Sequence, residues 1–184
     1  MKARRGIVRS AVIAMCLLPM ALTTAQSQTP ASNHDQELVF RSPFLLRLHI
    51  DDEHYYEQHF DRVPYVSHGE VYLFAGEYFG VNVRIAGDQV VQLTYQPDPA
   101  KADVEFKFTQ EKSATGLMML LMIKNKLPRR LFLDAFMTVP DKKEAYKTSV
   151  LPIQPGLSSF ESWSHPIVQL VLGNLRLAEN GSGQ

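Results

Sequence analysis

Histidines and carboxylates are concentrated between residues 49 and 61. This stretch of thirteen residues contains three of the six histidines in the chain and five carboxylates. Imidazole nitrogens and carboxylate oxygens together suit zinc or copper, so one hypothesis is a transition-metal site. Its candidate ligands are His49, His54, His59 and Asp61. The five-residue spacing of the histidines matches no established ligand pattern, and a solvated acidic loop has the same composition.

Basic residues form a second group of candidate binding side chains. Lys124, Lys126, Arg129 and Arg130 crowd one predicted loop, and further lysines lie between residues 142 and 147. A cluster of this kind suits an anionic head group or an acidic partner. Charged side chains at hairpin tips also keep sheets soluble, which explains the same residues more simply.

A third group lies between residues 147 and 166, where the only tryptophan, Trp163, stands close to His165. Serine catalysis needs a hydroxyl beside a base and an oxyanion hole, but the chain has no Gly-x-Ser-x-Gly motif around Ser158 or Ser159. We therefore interpret the segment as a long ordered recognition loop pinned by Trp163, whose N–H is expected to reach a carbonyl. Trp163 and His165 are candidate binding residues, and the sequence predicts no enzymatic activity and no resident cofactor.

Period-two alternation of apolar and polar residues dominates the body of the chain. Such alternation predicts strands that are buried on one face. The clearest apolar sets are Phe44, Leu46, Leu48 and Ile50; Val81, Val83 and Ile85; Val91, Leu93 and Tyr95; Val104, Phe106 and Phe108; and Leu131, Leu133, Ala135 and Met137. Turn residues rich in proline, glycine and aspartate separate these sets at short intervals.

Two apolar segments do not alternate. The segment 116–123 is continuously apolar, and its length favours a central strand over a helix of two turns. The segment from Pro166 to Leu177 is consistent with a short helix or a closing strand, of which we favour the strand. The whole pattern predicts an all-β domain over residues 37–178, a single antiparallel β-sandwich of seven to nine strands. It resembles the immunoglobulin-like sandwiches, and a small β-barrel is the alternative.

The first 25 residues have the features of a cleaved export signal. Four basic residues precede an apolar run from Ala11 to Leu22, and small residues follow up to Ala25. The apolar run is too short to span a bilayer comfortably, so no stable membrane span is expected after cleavage. Residues 26–36 are interpreted as a flexible leader and residues 179–184 as a frayed tail. The predicted location is the periplasm or the medium.

Charge and cysteine content narrow the function further. Removing the four basic residues of the signal from a chain with 19 basic and 19 acidic residues leaves 15 against 19, a net charge of −4. That balance argues against nucleic-acid binding, which requires excess lysine and arginine. The only cysteine, Cys16, lies in the signal, so the mature chain is expected to lack disulfides and thiol nucleophiles.

These observations lead to one leading hypothesis and two alternatives. The leading hypothesis is a non-enzymatic binding protein that uses loops or an edge strand of the sandwich to bind an envelope protein, a peptide or a surface glycan. The first alternative is a metal-binding envelope protein that uses the histidine and acid cluster. The second is a periplasmic inhibitor or immunity-type protein, which requires only a binding surface.

Overall fold

The computed structural model describes residues 38–113 and 116–179, and these residues are built almost entirely from β-strands. The predicted signal peptide, the leader and residues 180–184 of the predicted tail lie outside this range. Among the described residues, no helix is long and apolar enough to cross a membrane.

The described residues form twelve strands and one short 3-10 turn. Their bounds, in chain order, are β1 Phe44–His49, β2 Tyr55–Phe60, β3 Val66–Ser67, β4 Glu70–Leu73, β5 Glu77–Ala86, β6 Gln89–Gln96, the 3-10 turn Pro99–Lys101, β7 Val104–Ser113, β8 Gly116–Asn125, β9 Leu131–Thr138, β10 Tyr146–Thr148, β11 Ser158–Trp163 and β12 Gln169–Leu177. All strands therefore fall inside the domain predicted from the sequence.

The strands form two five-stranded antiparallel sheets and a hairpin. Sheet I has the order β10-β9-β12-β4-β3, and sheet II has the order β11-β8-β7-β5-β6. Strands β1 and β2 pair only with each other, in a register that joins Phe44 to Phe60 and His49 to Tyr55. Each sheet is open, because its order has two distinct end strands.

A single apolar core lies between the two sheets. Most inward side chains of β4, β7, β8, β9 and β12 are buried in it. The inward face of the β1–β2 hairpin adds Leu46 and Leu48 to the same cluster. Two sheets that share one core form a β-sandwich. The all-β sandwich predicted from the alternation is thus confirmed.

The number of strands differs from the prediction of seven to nine. Three strands account for much of the difference: β3 has two residues, β10 has three, and β11 lacks an apolar–polar alternation. Strands this short give no periodic signal. At the end of β1, Ile50 was expected to continue the apolar face, but it lies beyond the strand and is exposed.

Both non-alternating segments form strands, as favoured from the sequence, and the central position expected for β8 is found for β12 as well. Strand β8 pairs with β7 on one side and β11 on the other. Strand β12 lies between β9 and β4 in sheet I. One face of β8 is fully buried, and the other face, which includes Leu120 and Met122, is half-buried. That second face is the outer surface of sheet II.

Candidate binding surface

Strand β11 forms an end of sheet II, and it corrects the prediction of a long loop between residues 147 and 166. Residues Ser158–Trp163 pair with β8 in antiparallel register, from Ser158 opposite Lys124 to Trp163 opposite Met119. In the part of the chain that the structure describes, β11 has no neighbouring strand on its other side. The segment that was expected to be a recognition loop is therefore an edge strand.

The register shows which backbone groups of β11 point away from the sheet. Asn125 N donates to Leu157 O at 3.0 Å, whereas Lys126 N donates to Asp103 O on the β7 side at 2.9 Å. Alternate residues of a strand bond to opposite neighbours. The odd-numbered residues of β11 thus bond to β8. The N–H and C=O groups of Ser158, Phe160 and Ser162 face outward.

The side chains around this edge expose a large apolar area. Phe160 is 70% exposed, Leu157 is 59% exposed and Leu151 is 68% exposed. Phe160 lies opposite Met122, so its ring continues the apolar outer face of β8 to the rim of the sheet. Single exposed apolar residues are ordinary on a protein surface, but Phe160 extends the half-buried apolar side chains of β8 to the edge of the sheet, and an apolar surface at an edge is typical of an interaction site.

The inner face of β11 is held firmly against the fold. Trp163 packs edge-on against Phe108, with ring centroids 6.5 Å apart. Its indole N–H donates to the Thr148 hydroxyl at 3.0 Å, so the partner is a side chain and not the backbone carbonyl that we expected. Glu161 Oε1 accepts a hydrogen bond from Leu151 N at 2.9 Å. These contacts fix the strand in place while its outer edge stays open.

The two five-stranded sheets have three further end strands, and the six-residue strands β1 and β2 of the hairpin also have one neighbouring strand each. In sheet I, the edge strands β10 and β3 contain only three and two residues. In sheet II, β6 has eight residues, but it lies against β12 and β3 of sheet I. Short or covered edges are common protections against unwanted strand pairing. Strand β11 has neither protection, and it contains no proline, lysine, arginine or bulge.

The predicted basic cluster is present, but most of its charges face acidic or carbonyl partners. Lys126 Nζ lies 2.7 Å from Glu105 Oε1 and also donates to two carbonyls of the 3-10 turn. Arg129 Nη1 lies 2.6 Å from Asp88 Oδ1, and Arg130 Nε donates to the side chain of Gln154. Lys124, at 3.8 Å from the same Glu105 carboxylate, is the most loosely paired of the four in these contacts.

Glu105 explains why this cluster is organised as it is. Although it lies on the outer face of sheet II, Glu105 is only 5% exposed. Burial raises the pKa of its carboxyl, but hydrogen bonds from Lys126 and Tyr78 outweigh burial and hold that pKa below its usual value. The hydrogen bond to Glu105 in turn raises the pKa of the Tyr78 phenol, as does burial. The basic residues thus neutralise a buried charge in addition to facing solvent.

Lys124 lies in β8, whereas Lys126, Arg129 and Arg130 follow it in a loop that a buried asparagine shapes. Asn125 is fully buried, and its Nδ2 donates to Arg129 O at 2.8 Å and to Ile153 O at 3.1 Å. Its Oδ1 accepts from Leu127 N at 3.0 Å. The side chain therefore satisfies the backbone of the turn after β8 and ties it to the segment that leads into β11.

The histidine and acid cluster is spread over the β1–β2 hairpin. His54 Nδ1 contacts Asp51 Oδ2 at 2.8 Å in the turn. Hydrogen bonds from the backbone N–H of Glu53, from the His54 ring and from the backbone N–H of His54 lower the pKa of the Asp51 carboxyl. His49 packs on Tyr55, and His59 pairs with Leu45 at the far end of the hairpin. Asp61 follows the end of β2. Among the described residues, no group of three or more histidine, cysteine or carboxylate side chains is placed to hold a metal ion.

A surface pocket opens beside this hairpin. It is lined by His49, Asp52, Gln110, Glu111, Lys112 and Leu117. Lys112 Nζ pairs with Asp52 Oδ1 at 2.5 Å, and the Gln110 amide exchanges two hydrogen bonds with the backbone of His49. These two sets of contacts join the hairpin to β7 of sheet II.

Of the predicted binding residues, Trp163 lies in β11, and His165 follows the strand and is exposed. Phe160 and Leu157 were not among the candidates. The signal that indicates them is the eight-residue segment 157–164, which has no proline or glycine and lies between Pro155-Gly156 and His165-Pro166. A short segment bounded by turn residues indicates a strand even where apolar and polar residues do not alternate.

We compared the chain with protein families, curated proteins and solved structures. No protein-family model, no curated protein and no solved structure matches this chain.

Proposed function

We propose that this protein is an exported, non-enzymatic binding protein that takes up a strand of a protein partner along the outward edge of β11. One observation carries the proposal. Among the described residues, the edge strand β11 has one strand neighbour and bears the most exposed large apolar side chain, Phe160 at 70%.

Strand addition suits this edge for two reasons. The outward backbone groups of β11 supply hydrogen-bond donors and acceptors that the backbone of any extended segment can match. These backbone hydrogen bonds give affinity that depends little on the sequence of the partner. Phe160 and the half-buried Met122 and Leu120 form an apolar surface beside that edge, which favours apolar side chains at alternate positions of the added strand. Lys124 and Lys107 flank the apolar surface and favour a partner with acidic residues nearby.

The export part of the proposal depends on the N-terminal sequence. A basic start, a short apolar run and small residues up to Ala25 are the features of a cleaved signal. Expression in cells that naturally produce the protein, followed by intact mass measurement, is expected to give a chain that begins at Gln26. A chain that retains Met1 in the cytoplasmic fraction would contradict export.

Site-specific photocrosslinking tests the binding surface. A photoreactive amino acid is introduced at position 160 and, as a matched control, at the exposed Thr94 of the opposite edge strand β6. In the producing cells we expect a discrete crosslinked product at 160 and none at 94. A Ser162→Pro change removes an outward N–H that β8 does not use, so it is expected to abolish the product, whereas Ser162→Ala is expected to keep it.

Two results would contradict the proposed surface. The first is an absence of any crosslinked product at position 160 in cells that contain the folded protein. The second is a product that forms equally well at position 94 or survives Ser162→Pro, since such a product does not depend on the β11 edge.

A further inference from the structure

We infer that the partner of the β11 edge is a second copy of this chain, joined by antiparallel pairing of β11 with β11 about a twofold axis at Phe160. This inference rests on the proposed function and names its partner. It joins sheet II of each copy into one sheet of ten strands. The argument depends on which residues such a pairing places opposite each other.

Only pairings that match outward backbone groups to outward backbone groups form hydrogen bonds. In β11 these are the even-numbered residues, so a symmetric pairing centres on residue 159, 160 or 161. With the centre at Phe160, the two Phe160 residues form a hydrogen-bonded pair. Ser158 of each copy then exchanges hydrogen bonds with Ser162 of the other.

The pairing centred on Phe160 also matches side chains by character. The two phenyl rings lie side by side on the outer face, each continued by its own Met122. On the inner face, Leu157, which is 59% exposed, lies opposite the half-buried Trp163 of the other copy. Serines meet serines at 158 and 162, and Glu161 meets Ser159, so no like charges face each other across the seam.

Neighbouring registers lack this match. A pairing centred on residue 161 places two Glu161 carboxylates directly opposite each other in a closely spaced pair, which is destabilising. A pairing centred on residue 159 places Leu157 opposite Glu161 and Phe160 opposite Ser158. The sequence of β11 therefore selects one register among the three.

Single cysteines test the register directly, because the mature chain is expected to have no cysteine of its own. In a hydrogen-bonded antiparallel pair the Cα atoms are about 5.5 Å apart, within the range that a disulfide bridges. Phe160→Cys is thus expected to give a disulfide-linked dimer on mild oxidation. Ser158→Cys and Ser162→Cys, each alone, place their thiols about 13 Å apart and are expected to stay unlinked.

A mixture of the Ser158→Cys and Ser162→Cys proteins is expected to form a linked dimer that neither forms alone. Wild-type protein and Thr94→Cys serve as controls for random oxidation. A Phe160→Cys protein that stays monomeric on oxidation would overturn the inference. Linking of Ser158→Cys alone that is as efficient as that of Phe160→Cys would overturn the register and the twofold axis with it.

Analytical ultracentrifugation gives a second readout that needs no cysteine. The wild-type protein is expected to dimerise by mass action, and Ser162→Pro, which removes one donor from each side of the seam, is expected to weaken the dimer at least about tenfold. If Ser162→Pro does not fold, Phe160→Lys replaces it, because Phe160 is solvent-exposed in the single chain. A wild-type protein that is monomeric at all concentrations would overturn pairing between copies.

These outcomes separate the inference from the proposed function. A monomeric protein that still gives a position-160 crosslink to a different protein overturns the second copy as partner and leaves the β11 binding surface in place. A monomeric protein with no crosslink at 160 overturns both.

Discussion

The guanidinium of Arg41 and the carboxylate of Glu77 form a two-pronged ion pair inside the fold. Arg41 Nε lies 2.5 Å from Glu77 Oε1, and Nη2 lies 2.8 Å from Oε2. The same guanidinium donates to the carbonyls of Pro64 and Tyr72 and stacks 4.0 Å above the ring of Tyr65. Arg41 therefore joins the segment before β1 to strands β4 and β5. In sheet II, β5 is separated from β11 by β7 and β8.

Removing Arg41 is expected to destabilise the protein strongly. Arg41→Ala leaves the largely buried Glu77 carboxylate without its partner, and breaking a buried pair on one side costs about 3–5 kcal/mol. Arg47→Ala is the matched control, since Arg47 and Glu57 form an ion pair that is about half exposed. The control is expected to cost under about 1 kcal/mol. Urea unfolding of both variants measures the difference, and equal losses would contradict the assigned role of Arg41.

Alkaline pH is expected to reveal two late-ionising tyrosines. Burial, reinforced by the hydrogen bond to Glu70, raises the pKa of Tyr72 to about 12. Burial and the hydrogen bond with Tyr65 raise the pKa of Tyr95 to about 12. Because these folded-state pKa values lie above the ordinary value of 10, the stability that the two phenols contribute is present below pH 10 and is lost as the pH rises through about 12.

The phenolate absorbance measures this directly. Titration of the folded wild-type protein is expected to show two phenols that ionise near pH 12, and Tyr72→Phe is expected to leave one. The free energy of unfolding of the wild type is expected to fall more steeply above pH 10 than that of Tyr72→Phe. A late phase that is unchanged by Tyr72→Phe would show that Tyr72 does not contribute to it.

Gly80 is expected to tolerate no side chain. A Cβ atom at this position would lie 2.2 Å from the Cβ of Ala102 and 2.7 Å from the carbonyl oxygen of Val104. Overpacking of this kind costs about 1–3 kcal/mol or more, so Gly80→Ala is expected to lower the unfolding midpoint markedly. Adding Ala102→Gly removes only the first clash and is expected to restore part of the loss. A Gly80→Ala protein with wild-type stability would contradict the close approach of β5 to β7.

The sequence predicts the interior of this fold better than its edges. Alternating apolar residues correctly indicate the buried faces of β7 and β9, because burial of one face requires period-two spacing. The same reasoning places Glu105 on the outer face, but it does not predict that Glu105 is almost completely buried. That burial depends on Tyr78 of β5 and on Lys126, which follows β8, because both side chains contact the Glu105 carboxylate.

The candidate surface is harder to predict, for a related reason. Serines occupy the outward positions 158 and 162 of β11, so the strand lacks the periodicity that marks the others. The face on which Phe160 lies is set by its pairing with Met122 of β8, and β11 has no strand beyond it in the described part of the chain. Trp163 is found from sequence as an anchor, since a lone tryptophan is seldom left unpacked, but its partner Thr148 comes from another strand.

Amide hydrogen exchange at Ser158, Phe160 and Ser162 tests the central claim most directly, because these are the N–H groups that the β11 edge offers to an added strand. At low protein concentration the three amides are expected to exchange as fast as solvent-exposed groups, while their neighbours Ser159 and Glu161 are protected by β8. As the protein concentration rises, the three amides are expected to become protected in the wild type and to stay fast in Phe160→Lys. Fast exchange of the three amides in the wild type at every concentration would contradict pairing through this edge.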